Sequence, residues 1–215
     1  ILPYALSKNE GSKVFNLTSS RDCSSIFRPN MSFLRQFPNS ERYTIDKSIP
    51  IEAKTLDYLS EEGVLCETDF LKIDAQGAEL EILEGGRRFI NEKVIGLQVE
   101  VAFKEIYENQ PLYADIDNFI HNHLDFDLFD IRKYHWKYLQ GINTGTLKGQ
   151  LTFADALYFK NPSHLLSWCG KLSQQEARNK ILAACFMGLV YGYLDYSIVV
   201  LEEARKNNLI DVETT

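Results

Sequence analysis

Phe70-Leu71-Lys72-Ile73-Asp74-Ala75-Gln76-Gly77-Ala78-Glu79-Leu80-Glu81-Ile82-Leu83-Glu84-Gly85-Gly86 is the stretch whose reading decides the fold. Phe70 to Ile73 are mostly apolar and include a β-branched residue, which suits a buried strand. The run breaks at Asp74, small residues follow, and from Ala78 apolar Leu80, Ile82 and Leu83 alternate with glutamates in a helical pattern. Gly85-Gly86 is expected to end that helix as a C-cap pair. A strand, a tight turn opening on an acid, and a helix form the front half of a βαβ unit. Ligands of open parallel sheets sit beyond the carboxyl ends of the strands, where Asp74 and Gln76 are expected to stand.

Upstream, Lys13–Thr18 and Arg42–Asp46 alternate as short strands. Residues 19–40 hold Ser, Asn, Arg and two prolines with little periodicity, and read as a long loop of the kind that covers a site. Thr55 caps a short helix ending before Gly63. Downstream, residues 94–101 form a strand with Leu97, Val99 and Val101 on one face and Gln98 and Glu100 on the other. Residues 111–123 are helical, Asp125–Ile131 is a strand, Arg132–Thr152 is a polar, aromatic loop or loose hairpin, and Asp155–Lys160 is a last strand. From Ser163 onward the pattern is only helical. Ser173-Gln174-Gln175-Glu176 is a capping box, and Gly192 separates two helices that form a hairpin docked on the domain or used for pairing chains.

Leu71 to Gly85, taken with Leu97-Gln98-Val99-Glu100-Val101 and Ala154-Asp155-Ala156-Leu157-Tyr158, resembles the FkbM-type methyltransferases. The resemblance covers residues 1 to about 160, and the Lys72-Ile73-Asp74-x-x-Gly77-Ala78-Glu79 string is its most specific part. It implies an α/β, class I methyltransferase (Rossmann-like) sheet, S-adenosylmethionine as cofactor, and O-methylation of a sugar or natural-product hydroxyl. The organisation expected is a partial methyltransferase-like domain over residues 1–161 and a helical C-terminal extension over 162–215. Residues 1–7 resemble the end of the family's third strand, which places Leu6 and Ser7 near the adenine. The glycine-rich turn and the acid after the second strand that grip the cofactor in class I enzymes are absent from the sequence. The chain also opens at Ile1 without Met. The expectation is therefore an N-terminally truncated piece whose cofactor loop lies upstream.

Methyl transfer to a hydroxyl needs donor and acceptor held in line and a base for the hydroxyl proton. Asp74 leads the candidates, because an acid ending a buried strand is costly unless paired or used; the structural alternative is a helix cap. Gln76 shares its turn as a cofactor contact. Glu79 lies in the first helical turn, where the helix dipole favours an acid regardless of function. Glu100 is an acid in an otherwise apolar strand, so it faces the ligand or pairs with a cation. Asp155, beginning the last strand, reaches the same edge if that strand is antiparallel, as the family's fold implies. His135, between Tyr134 and Trp136, is a candidate base, and the flanking aromatics could stack on a sugar. His121 and His123 invite a metal reading, but residues two apart on a helix diverge and no third ligand has suitable spacing, so no metal is expected.

At 215 residues and 45% hydrophobic, the chain can bury one sizeable core. A net charge of −7 argues against nucleic-acid binding, and no apolar run approaches the roughly 18 residues of a membrane span. Cys23, Cys66, Cys169 and Cys185 are far apart, which fits reduced thiols in a cytoplasmic protein. A second reading is a non-catalytic interaction module that uses the helical hairpin to bind a partner or a second copy. A nicotinamide-dependent enzyme is disfavoured because its glycine-rich fingerprint is also absent.

Overall fold

A computed structural model of the chain describes residues 2–65, 67–145 and 148–210; Ile1 and Cys66 lie outside the described residues. The first sheet has the order β1-β3-β2. β1 (Ala5–Leu6) runs parallel to β3 (Ile45–Lys54), and β2 (Gly11–Thr18) runs antiparallel to it. The strand expected at Arg42–Asp46 is displaced: Ser40–Tyr43 is a 3-10 turn, and the strand begins at Ile45 and continues to Lys54 through Pro50. Pro50 is tolerated because β1 covers only Ala53 and Lys54, leaving that edge of β3 open where the proline sits. Between β2 and β3 the chain is more ordered than an irregular cover. It carries α1 (Met31–Leu34) and 3-10 turns at Arg21–Cys23 and Ser40–Tyr43. Cys23, Leu34 and Tyr43 from this segment pack with Ile106 and Tyr107 as an apolar cluster of their own, which holds the segment in place.

α2 (Leu56–Glu61) starts as expected, with Thr55 Oγ1 accepting from the Tyr58 N–H at 3.0 Å. β4 (Phe70–Ile73), α3 (Glu79–Gly85), α4 (Arg87–Lys93) and β5 (Gly96–Ala102) follow, with β4 and β5 parallel and Ile73 opposite Val99. Gly85-Gly86 does not form a left-handed cap; Gly86 has φ −115° and α4 follows at once. The glycines are required by close approach. A Cβ at Gly85 would stand 2.3 Å from the Ser7 carbonyl oxygen, and one at Gly86 2.7 Å from Leu56 Cδ1. The pair therefore lets the α3–α4 junction sit directly against β1 and α2.

α5 (Tyr113–His123) leads into β6 (Phe126–Trp136) and β7 (Gln150–Lys160), completing a second sheet of order β4-β5-β7-β6 in which β7 is antiparallel to both neighbours. Much of the loop expected at Arg132–Thr152 is thus strand. Register shifts at Leu128/Asp130 and Tyr134/His135 break the alternation that would have revealed it. Asp155 accordingly lies inside β7 rather than at its start.

The two faces of this sheet bury different helices. Ile73, Leu97, Val99, Val101, Ala156 and Tyr158 pack against side chains of α3, α4 and α5. Ile95, Leu157 and Phe159 pack against α6 (Pro162–Cys169), α7 (Gln174–Tyr191) and α8 (Leu194–Lys206). The C-terminal helices therefore share a core with the sheet. α7 begins with the expected capping box, Ser173 and Glu176 each accepting the other's backbone N–H, and ends at Gly192 with φ 88°. No helix among the described residues is long and apolar enough to cross a membrane. The result is a mixed α/β fold with two sheets.

Candidate active site

The turn after β4 is built by two left-handed residues, Gln76 (φ 54°) and Gly77 (φ 101°). Gly77 also lacks room for a side chain, since a Cβ there would meet Gln110 Cβ at 3.3 Å. Glu79 folds back under the turn and accepts the N–H groups of Ala75 at 2.8 Å and Gly77 at 3.2 Å. Burial pushes its carboxyl up to about 7 against the pull of those backbone bonds. Its position is a structural one, pinning the turn from inside. Gln76 is engaged on every side. Its carbonyl accepts from Ser25 Oγ at 2.6 Å, its Oε1 from the Tyr107 hydroxyl at 2.7 Å, and its Nε2 donates to Asp74 Oδ1 at 2.9 Å. The segment between β2 and β3 is thereby tied to the turn, and Asp74 is held between Gln76 and Lys72, whose Nζ lies 3.2 Å from Oδ2.

Glu100 stands near the carboxyl end of β5, directly opposite Asp155 of β7. Asp155 accepts from the Tyr134 hydroxyl at 2.9 Å. Burial, then the negative charges of Asp74, Glu79 and Asp155, raise the Glu100 carboxyl to about 8, with Lys72 partly offsetting them. Asp74, Glu100 and Asp155 are therefore electrostatic neighbours at one sheet edge. Asp74, Gln76 and Glu100 line a cavity of about 370 Å³. Its opposite wall comes from the segment between β2 and β3 through Asp22, Cys23, Arg42 and Tyr43, with Trp136 and Phe153 from the β6–β7 hairpin. Burial pushes the Cys23 thiol up, which leaves it a poor nucleophile.

Three of the expected site residues fall elsewhere. His135 does not line the carboxylate cavity; it lines a neighbouring one with Phe37, Arg42 and Lys137. Ser7 is fully buried, and its hydroxyl donates to Glu81 Oε2 at 2.5 Å, an acceptor it shares with Lys13 Nζ at 3.0 Å. Leu6 packs into the core beneath α3. Neither lines the cavity that holds Asp74. Conversely, Asp22, Arg42 and Tyr43 were not singled out. They lie far from Asp74 in sequence, and no local pattern distinguishes them from loop residues.

No curated protein and no solved structure matches the chain. A family model described as the methyltransferase FkbM domain matches residues 1–128, a span that contains β4, its turn, Asp74 and Glu100. By that match, which covers more than half of the sequence, the chain belongs to the FkbM methyltransferase family.

Proposed function

We propose that this chain O-methylates a hydroxyl of a sugar or natural product in the cavity lined by Asp74 and Glu100. The family's donor, S-adenosylmethionine, supplies a methyl group carried on a sulfonium. The cavity suits that cationic end, because the carboxylates of Asp22 and Asp74 and the rings of Tyr43, Trp136 and Phe153 favour a soft cation. Asp74 and Gln76, fixed by Lys72 and Tyr107, are the cofactor-side contacts in this reading. The glycine-rich turn and ribose-binding acid of class I enzymes are not among the 215 residues. The residues present thus answer for the methyl and acceptor side alone.

Glu100 is the base that takes the acceptor's proton. Its raised carboxyl binds that proton tightly near neutral pH, which suits general base work. Asp155, opposite it, keeps a negative field on the proton's side, and Tyr134 orients Asp155. The observation that carries the reading is the convergence of Asp74 and Glu100 on one cavity at the carboxyl ends of parallel strands, in a chain of this family. The test is methyl transfer from labelled donor with a protein containing this chain. Glu100→Gln should lower kcat/KM by roughly 10²–10⁴ and abolish the rise in rate with pH around 8. An unchanged rate and pH profile would remove Glu100 as the base.

One observation favours a second, compatible reading. α7 leaves Leu182, Phe186, Leu189 and Val190 exposed outside the core. A second copy of the chain is the occupant this reading assigns to those side chains.

A further inference from the structure

The carboxylate cavity does not stand alone. A second cavity, of about 250 Å³, shares Arg42, Tyr43 and Trp136 with it as a common wall. The two have opposite chemistry. Asp22, Asp74 and Glu100 line the first, whereas no carboxylate lines the second among the described residues, and Arg42, His135 and Lys137 do. Arg42 and Lys137 make no ion pair among the described residues. Arg42 donates to the Tyr43 hydroxyl at 3.0 Å and lies over the Tyr43 and Trp136 rings at 4.9 and 5.9 Å. Lys137 donates to the Gly145 carbonyl. Asp22 acts on Arg42 only at longer range, and two cations held without a close ion pair beside a concave surface attract an anion. Phe37 and Trp136, edge to face at 5.4 Å, with Phe33 stacked on Trp136 at 6.5 Å and Tyr138 on Phe37 at 4.9 Å, make the wall aromatic, and their remaining edges offer apolar surface beside a bound ring. His135 and Trp136, the last residues of β6, and Lys137 just beyond it line the cavity together.

The geometry points to an acceptor that is a ring-bearing anion, a sugar acid or sugar phosphate. Its charged group sits against Arg42 and Lys137, its ring lies beside the Phe37–Trp136 wall, and its hydroxyl reaches Glu100 in the adjoining cavity. The assignment of the bound molecule as methyl acceptor rests on the methyl-transfer reading; the anion subsite does not. A neutral sugar would leave both cations without a close ion-pair partner.

The test reads Trp136 fluorescence in a Trp168→Phe background, which makes Trp136 the sole tryptophan of a chain that has two. Glucuronate and glucose 6-phosphate are titrated against their neutral counterparts, glucuronamide and glucose. At least one anion should saturate the signal at a concentration at least tenfold below its neutral partner, and which one does so separates carboxylate from phosphate. Arg42→Gln and Lys137→Gln should each weaken the anion about tenfold while leaving the neutral sugar unchanged. Calorimetric titration of the unsubstituted chain gives the same comparison should Trp168→Phe disturb folding. No saturable response to either anion, equal binding of anion and neutral partner, or indifference to both substitutions would overturn the subsite. Binding is read without donor, so anion binding with no methyl transfer would overturn the methyl-transfer reading alone. Transfer to neutral acceptors without anion binding would overturn the subsite alone.

Discussion

Glu100 shows how a residue's chemistry depends on neighbours remote in sequence. Its ordinary carboxyl value is 4.5, and in the fold it rises to about 8. Between those values the folded chain holds a proton that the unfolded chain releases, so rising pH removes stability across that window. Glu100→Gln abolishes this contribution. Against the unsubstituted chain it should be close to neutral below about pH 4 and more stable above about pH 9 by roughly 5 kcal/mol, measured by urea unfolding. Asp74, Glu79 and Asp155 feel the Glu100 charge in turn, so the difference reads Glu100 together with its coupling to them. Parallel pH–stability curves would contradict the assigned burial. Asp74 and Glu100 were legible in the sequence because each is an acid in or at the end of an apolar run. Arg42 and Tyr43 were not, since their place in the site depends on where a segment far from Asp74 in sequence docks.

At the scale of elements, periodicity worked where strands alternate cleanly and failed where the register slips. β4, α3 and β5 follow their patterns because each buries a continuous apolar set against a neighbour. The β6–β7 hairpin was partly hidden by its two register shifts, and β3 by Pro50. The glycine pair ending α3 was legible as a boundary but not as a packing device. Gly85→Ala would force a Cβ against the Ser7 carbonyl, and the Ser7 and Lys8 atoms it would meet are backbone. It should cost roughly 1–3 kcal/mol of stability, as overpacking does. Gly170→Ala, whose Cβ would meet only ordinary contacts at 3.5 Å and beyond, is the control and should be neutral or stabilising by up to about 1 kcal/mol. Equal urea midpoints for the two variants would refute the close approach of α3 to β1.

For the whole molecule, the helical hairpin serves two surfaces. Its inner face completes the core over Ile95, Leu157 and Phe159, so removing residues after Pro162 would expose the sheet rather than test association. Its outer face leaves Phe186 67% and Val190 63% exposed, four residues apart on one side of α7. Self-association through that stripe predicts a dimer in light scattering that Phe186→Glu with Val190→Glu converts to monomer, with unfolding unchanged because neither side chain contributes to the core. A monomer before substitution would dismiss the second copy as occupant.

The sequence by itself determined the strand–turn–helix at Phe70–Gly86, the helical C-terminal quarter and the acids at 74 and 100, because local periodicity, caps and an acid among apolar neighbours are written in adjacent residues. Only the tertiary structure decided that Asp155 faces Glu100, that His135, Leu6 and Ser7 stand away from the carboxylate cavity, and that Arg42, Tyr43 and Trp136 line both an acidic cavity and a basic one. Those outcomes depend on register and docking between distant segments, and strand pairing of such separation leaves no local trace in a single chain.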